Sequence, residues 1–237
     1  MTDRGVSDVL GYVLVFSLVV STIGMVYTTG LGGLDDVRES EKLSNAERAF
    51  DVLDSNVEDL VGGTAQTRAT EIKLEGATLD FEDRVIVNVS NGNGRYYRAE
   101  MHPIYFAGDS DDARVVYENG AILREDGDSA VVRNEPDISF GEKTVVPLVV
   151  TRTRDTGRSG SGTVLVRTEV ADRSVVRLPV EGGDANITIT SPRAKAWADH
   201  LSESSETDCT VADGTATCSV DTDVVYVQVV RIDVTVE

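Results

Sequence analysis

The residue types that most often carry catalysis or bind metals are sparse in this sequence. The two histidines are His102, beside Pro103, and His200, far along the chain, so no zinc site of spaced His and Cys ligands can be built. The sequence contains neither a Gly-x-Ser-x-Gly nucleophile motif nor a phosphate-binding loop with Lys. We therefore expect no catalytic residue, no cofactor and no metal, and a chain that is not an enzyme.

Two acidic clusters, at residues 109–112 and 125–128, could hold a hard cation through oxygen ligands. Because the chain has 41 Asp and Glu residues against 22 Lys and Arg, solvated loops are the favoured interpretation. The net charge of -19 also excludes nucleic-acid binding, which depends on Lys and Arg neutralising phosphate. Acidic excess with Arg in place of Lys is typical of halophilic proteins, whose self-repulsion molar salt screens.

The two cysteines, Cys209 and Cys218, flank an Asp213-Gly214 turn in a predicted hairpin. Opposed strand residues can meet disulfide geometry, and a location outside the cell permits oxidation. We predict a disulfide in preference to a metal pair or free thiols. Asn88 and Asn186 begin Asn-x-Ser/Thr tripeptides, so each is a candidate glycosylation site.

The strongest pattern is an uncharged, apolar segment over residues 9–34. As a helix it would cover roughly 39 Å, more than the ~30 Å hydrocarbon thickness of a bilayer. A cleaved secretory signal has a shorter apolar stretch of about 7 to 15 residues, and a buried core helix would need a domain around it. We predict a membrane-spanning helix over residues 6–34.

A short leader precedes this helix, with Arg4-Gly5 directly before Val6. The arrangement resembles the class III signal peptides of archaeal pilins, in which a prepilin-type peptidase cuts after a basic-Gly pair and the hydrophobic segment stays. The resemblance implies a leader over residues 1–5 and cleavage between Gly5 and Val6. Residues 7–11, Ser-Asp-Val-Leu-Gly, also resemble the Ser-Pro-Val-Ile-Gly start of many haloarchaeal pilins, with Asp8 in the place of Pro. A plain signal anchor is the alternative.

Bacterial type IV pilins usually carry Glu at the fifth mature position. This chain departs from that pattern, because Leu10 stands there and the acidic Asp8 lies two residues earlier. Under the pilin-like hypothesis the helix packs against others in a filament. Small residues let membrane helices approach closely. The positions that we assign to helix packing are Asp8, Gly11, Ser17, Ser21 and Gly24.

Residues 35–63 are predicted to form a second helical stretch, a stalk. Apolar residues recur there at spacings of three and four, which places them on one stripe of a helix. Ser44 begins a candidate capping box at which the helix could restart, and Gly62-Gly63 is a C-terminal stop. The stripe consists of Leu43, Ala46, Phe50, Leu53, Val57 and Leu60.

From residue 64 to 237 the pattern is that of a β-rich head. Short Val-rich segments separated by turn residues predict an antiparallel, sandwich-like domain. Ser191-Pro192 opens a predicted helix, with Trp197 as its anchor on the sheet. The long final strand, residues 224–234, is too apolar on both faces to lie at a sheet edge. The fold class is therefore α+β: a membrane-spanning and stalk helix, then a β-rich head with one docked helix.

Several stretches are similar to a family of haloarchaeal membrane-anchored proteins of unassigned function that share the leader. They are residues 46–50, 68–72 and the helix start at 191–197. The first hypothesis is a pilin-like surface subunit, with a homo-oligomer or other pilin-like subunits as partners. The second is a monomeric anchored ectodomain that binds a partner and does not polymerise. An anchored hydrolase is a third, but it lacks a site.

The predicted location is the cell membrane, with a single span and an extracellular head. Arg4 lies before the span, and Arg38, Lys42 and Arg48 lie after it, so the positive-inside rule alone would place the head in the cytoplasm. Long domains translocate largely regardless of such charges. The leader, the paired cysteines and the acceptor asparagines all favour a head outside the cell.

Overall fold

A computed structural model describes residues 3–108, 113–181 and 184–237. In the first helix, side chains are described for residues 9–28 and from residue 37 onward. The acidic cluster at 109–112 therefore lies outside the described residues, and only the backbone is described for Gly5, Val6 and Asp8. The chain divides into two compact units, Met1–Lys42 and Leu43–Glu237.

Helix α1 spans Asp3–Val61 and helix α2 spans Ala194–Leu201. The predicted restart of α1 at Ser44 is wrong, because the helix continues through it. The apolar stripe keeps its helical period across this position, and each stripe residue from Leu43 to Leu60 is at most 2% exposed. Gly62 and Gly63 follow the helix end as predicted, and Gly63 has a positive φ of 78°.

Fifteen strands occupy the rest of the described chain. Some hairpins turn on two residues with positive φ, the conformation that Asn-Gly and Asp-Gly favour. Asn119-Gly120 joins β6 to β7, and Asp213-Gly214 joins β13 to β14. The strands are β1 Thr67–Lys73, β2 Thr78–Phe81, β3 Val85–Ser90, β4 Tyr96–Met101, β5 Ile104–Ala107, β6 Ala113–Glu118, β7 Ala121–Asp126, β8 Ser129–Asn134, β9 Lys143–Thr153, β10 Arg158–Ser159, β11 Thr163–Pro179, β12 Ala185–Thr190, β13 Thr207–Ala212, β14 Thr215–Val220 and β15 Val224–Val236.

The strands form three sheets. The four-stranded sheet has the order β1-β11-β15-β9, the six-stranded sheet β10-β2-β5-β6-β7-β8, and the five-stranded sheet β13-β14-β12-β3-β4. Among the described residues the pairings are antiparallel, except that β15 runs parallel to β9. Strand β11 is long, and its pairing with β15 has a register shift between Val170 and Asp172.

Two hydrophobic cores fill the head. One surrounds Trp197 of α2, and the other surrounds Phe50 of α1. The six-stranded sheet contributes to both, since the neighbouring residues Ile122 and Leu123 point to opposite faces and belong to different cores. The predicted fold is confirmed: an N-terminal apolar helix, a mostly antiparallel β head and one docked helix. As predicted, β15 is an interior strand, between β11 and β9.

Candidate membrane anchor and polar sites of the head

The N-terminal apolar segment, Val9–Thr28, is long and apolar enough to cross a membrane. Its mean hydropathy is 2.3, and none of it is buried within the protein. Its large apolar side chains are between 47% exposed, at Val19, and 74% exposed, at Tyr12. The hydroxyls of Thr22 and Thr28 donate to carbonyls of the preceding turn, Thr22 to Leu18 O at 3.0 Å, which leaves these polar groups satisfied in an apolar medium.

The helix brings some of the predicted packing residues together. At about 100° per residue, Ser17, Ser21 and Gly24 lie on one face, and Gly11 lies about 120° away from them. A Cβ atom added at Gly11 or Gly24 would meet no atom within 4 Å, so both positions are open to a neighbouring helix. The side chain of Asp8 lies outside the described residues, and packing at all five positions stays a prediction.

A disulfide joins Cys209 of β13 to Cys218 of β14, as predicted. The two residues are directly paired across the hairpin that Asp213-Gly214 closes. Asn88 and Asn186 lie in the neighbouring strands β3 and β12, where both are half-buried rather than in loops. Their glycosylation stays a prediction.

Loss of the disulfide should lower stability moderately. Replacing both Cys209 and Cys218 with Ser removes the covalent loop, and constraining the unfolded state through a loop this short is worth about 2 to 3 kcal/mol. We expect the thermal midpoint of the variant to fall, and that of the wild type to fall equally on reduction. Non-reducing mass spectrometry of the wild type should show the linked peptides. Two free thiols in protein purified from its native cells without reductant would contradict the assignment.

A buried arginine ties α2 to the six-stranded sheet. Arg193, at the start of α2, is 1% exposed, and its guanidinium donates to three carboxylates. The distances are 2.7 Å to Glu118, 2.9 Å to Glu125 and 2.5 Å to Glu82. Glu118 is fully buried and also accepts from Trp197 Nε1 at 2.6 Å. We call this group the Arg193 cluster. Its hydrogen bonds satisfy the polar side chains that become buried when α2 packs on the sheet, which would otherwise have no partners.

Two effects act on the pKa of Arg193 in opposite directions. Burial lowers it, whereas Glu118, together with Glu82 and Glu125, raises it, and the pKa stands above its ordinary value. The guanidinium is therefore a permanent cation inside the head. Its function here is structural, because each of its contacts holds one element of the head against another.

A second polar site is a cavity of about 160 Å³ beside α1. Asp54 and Glu58 of α1 line it, together with Tyr117 of β6 and Asp137 of the segment after β8. Asp54 is 3% exposed and accepts a hydrogen bond of 2.5 Å from Asn134 Nδ2. Tyr117 is completely buried, and its hydroxyl has no hydrogen-bond partner among the described residues.

The pKa of Asp54 is raised to about 7 from an ordinary value of 3.8. Burial is the largest cause, the charge of Glu58 adds to it, and the hydrogen bond from Asn134 opposes it. The same surroundings raise the pKa of the Tyr117 phenol, mainly through burial and secondly through the charge of Asp54. Acidic side chains thus line the cavity, and its described lining residues include no Lys or Arg to balance their charge.

Asp54 should make the head less stable as pH rises. Between about pH 4 and pH 7 the folded state holds a proton on Asp54 that the unfolded state has lost, so unfolding becomes easier with increasing pH. At roughly 1.4 kcal/mol per pKa unit the loss is about 2 to 4 kcal/mol. In urea unfolding without metal ions, Asp54→Asn should have the same free energy of unfolding as the wild type near pH 4 and a higher one near pH 8. Equal stability at both pH values would contradict this.

His200 lies in a group able to hold a metal ion. Its ring nitrogen and carboxylate oxygens of Glu135 and Glu203 lie within 4.8 Å of one another. Spacing along the chain does not reveal this group, because Glu135 is far in sequence from the other two members. The ring Nδ1 of His102 lies 3.1 Å from the carbonyl oxygen of Glu82 and is part of a structural contact.

Comparison with known proteins places most of the chain in one family. Residues 4–235 match the family of unknown function DUF7289. The chain belongs to this family. No solved structure matches the chain. The match to DUF7289 covers both the apolar helix and the head.

One relative of this DUF7289 protein is an uncharacterized protein of Archaeoglobus fulgidus. It is 25% identical over 80 residues, which cover 34% of this chain and 26% of the relative. The match thus spans about a quarter of the relative's length.

Proposed function

We propose that this DUF7289 protein is a pilin-like cell-surface subunit. Its N-terminal helix anchors it in the membrane and takes part in filament assembly, and its acidic head faces outside for surface interaction or adhesion. The observation that carries the proposal is the exposed apolar segment Val9–Thr28, which the described part of the chain does not bury and which precedes a head with two cores of its own. Apolar surface of this extent needs lipid or another helix to cover it.

Processing by a prepilin-type peptidase is the second part of the proposal. Arg4-Gly5 lies before the apolar segment, so cleavage at Val6 would leave the anchor on the mature chain. N-terminal sequencing of protein from the native membrane should find Val6. A mature chain that begins at Met1 or Thr2 would reduce the protein to an ordinary signal anchor.

Substitutions on the small-residue face test assembly. Ser17→Leu or Gly24→Leu should reduce the recovery of sheared surface filaments that contain this chain, because a bulky side chain keeps neighbouring helices apart. Val19→Leu is the matched control, since it lies about 160° from Ser17 on the same helix and adds a methylene outside that face. Mass spectrometry of filaments seen by electron microscopy provides the measurement. Equal recovery for all three variants would contradict the packing role.

A monomeric anchored ectodomain that binds a partner is the alternative, and a groove in the head favours it. The groove has a volume of about 700 Å³, and its lining includes both arginine and acidic side chains. Arg84 pairs with Glu100 and Arg152 with Asp233, each at 2.8 Å. If filaments never contain this chain while it is anchored and surface-exposed, the ectodomain is the better account.

A further inference from the structure

We propose that the cavity beside α1 binds a hard divalent cation such as Ca²⁺, held by the carboxylates of Asp54 and Glu58 and by the hydroxyl of Tyr117. This site is independent of the proposed membrane function, because all of its residues belong to the compact unit Leu43–Glu237.

The first reason is the unsatisfied hydroxyl of Tyr117. A buried polar atom without a partner is costly and rare in a folded protein, and such an atom often faces a bound ion or an ordered water. Tyr117 is 0% exposed and lines the same cavity as Asp54 and Glu58. Its oxygen is therefore an unpaired candidate ligand in a cavity that two carboxylate residues also line.

The second reason is the charge around the cavity. Asp54, Glu58, Asp137 and Glu135 line it, and no Lys or Arg does so among the described lining residues. The charges of Glu58, Asp137 and nearby Asp51 all act on the carboxyl of Asp54 in the direction that disfavours ionisation. Asn134 donates one hydrogen bond to Asp54 Oδ2, and no described residue supplies a second donor. A bound cation would relieve this repulsion.

The third reason is size and ligand type. A cavity of about 160 Å³ admits a cation together with several waters. Ca²⁺ takes six to eight oxygen ligands in flexible geometry, so two carboxylates, a phenol and waters form a suitable set. With so few charged ligands we expect a dissociation constant of about 10⁻⁴ to 10⁻³ M, the range of extracellular modules. Mg²⁺ should bind more weakly because it demands near-ideal octahedral geometry and gives up its waters reluctantly.

Thermal unfolding of the full chain in non-ionic detergent, at constant ionic strength near pH 8, tests the site. Adding about 10 mM CaCl₂ after EDTA treatment should raise the wild-type midpoint by about 3 to 8 °C. Asp54→Asn should abolish the shift, and its midpoint without Ca²⁺ should lie above that of the wild type. Glu58→Gln and Tyr117→Phe should each weaken the apparent affinity for Ca²⁺ several-fold. Because Glu58 is exposed, Glu58→Gln should fold even if a variant at a buried position does not, so it still tests the site.

Two controls separate this cavity from general surface charge. Asp51→Asn removes a charge one turn earlier on α1, at an exposed position outside the lining, and this charge is the smallest of those acting on Asp54, so the variant should keep most of the shift. Glu203→Gln disrupts the group around His200 and should also keep it. The shift should shrink near pH 6, where a proton competes for Asp54. No Ca²⁺ shift in the wild type, or an equal shift in Asp54→Asn, would overturn the proposal.

Discussion

Replacing Arg193 with Met should destabilise the head by about 3 to 5 kcal/mol at neutral pH. The substitution keeps much of the side-chain volume but leaves Glu118, Glu125 and Glu82 without the cation that all three share. Glu118 has no access to water, so its charge cannot be solvated in place. Urea unfolding of the chain in non-ionic detergent, followed by tryptophan fluorescence, measures the loss directly because Trp197 donates to Glu118.

An exposed ion pair is the matched control for Arg193. Arg98 lies 3.2 Å from Glu100, and both side chains are well exposed, at 51% and 39%. Arg98→Met should cost at most about 1 kcal/mol, since water and salt screen such a pair. Equal losses in the two variants would show that the Arg193 cluster does not hold α2 to the sheet.

Two arginines in the middle of the apolar segment should release the protein from the membrane. Leu18→Arg with Val19→Arg places charges near the centre of Val9–Thr28. Each costs about 2.5 to 3.5 kcal/mol in the bilayer centre, so the pair removes about 5 to 7 kcal/mol of insertion free energy. Alkaline extraction of membranes, followed by immunoblotting of pellet and supernatant, measures the change. We expect the wild type in the pellet and the variant in the supernatant.

The double alanine variant controls for lost side-chain volume. Leu18→Ala with Val19→Ala keeps the segment uncharged, and we expect it to stay in the membrane pellet. An arginine variant that still resists extraction would mean that the segment is not what holds the protein there.

Periodicity predicted the local elements and their buried faces well. The stripe from Leu43 to Leu60 is buried because its spacing matches the helical repeat, and Trp197 is buried because its helix has one apolar face. The disulfide followed from the spacing of Cys209 and Cys218 about an Asp-Gly turn. The structure of such elements depends on residues that are close together in the chain, so a single sequence was enough to predict them.

Contacts between distant parts of the chain were not predictable in the same way. The hairpin at Asn119-Gly120 does have a clear local signal, an Asn-Gly pair, although it was not among the predicted turns. By contrast, nothing local marks Glu118 as the partner of Arg193, or Tyr117 as the neighbour of Asp54, because these pairs form only when the sheets pack. The parallel pairing of β9 with β15 likewise depends on how the whole chain is connected, and the residue pattern of the two strands does not predict it.

Protease treatment of intact cells tests most directly the claim that an anchored helix carries an exposed head. With a tag at the C-terminus, after Glu237, we predict that added protease destroys the tagged head in intact cells while a cytoplasmic control protein survives. A short membrane-embedded fragment containing Val9–Thr28 should remain in the pellet. A head that is fully protected in intact cells and digested only after lysis would contradict both the pilin-like and the ectodomain accounts.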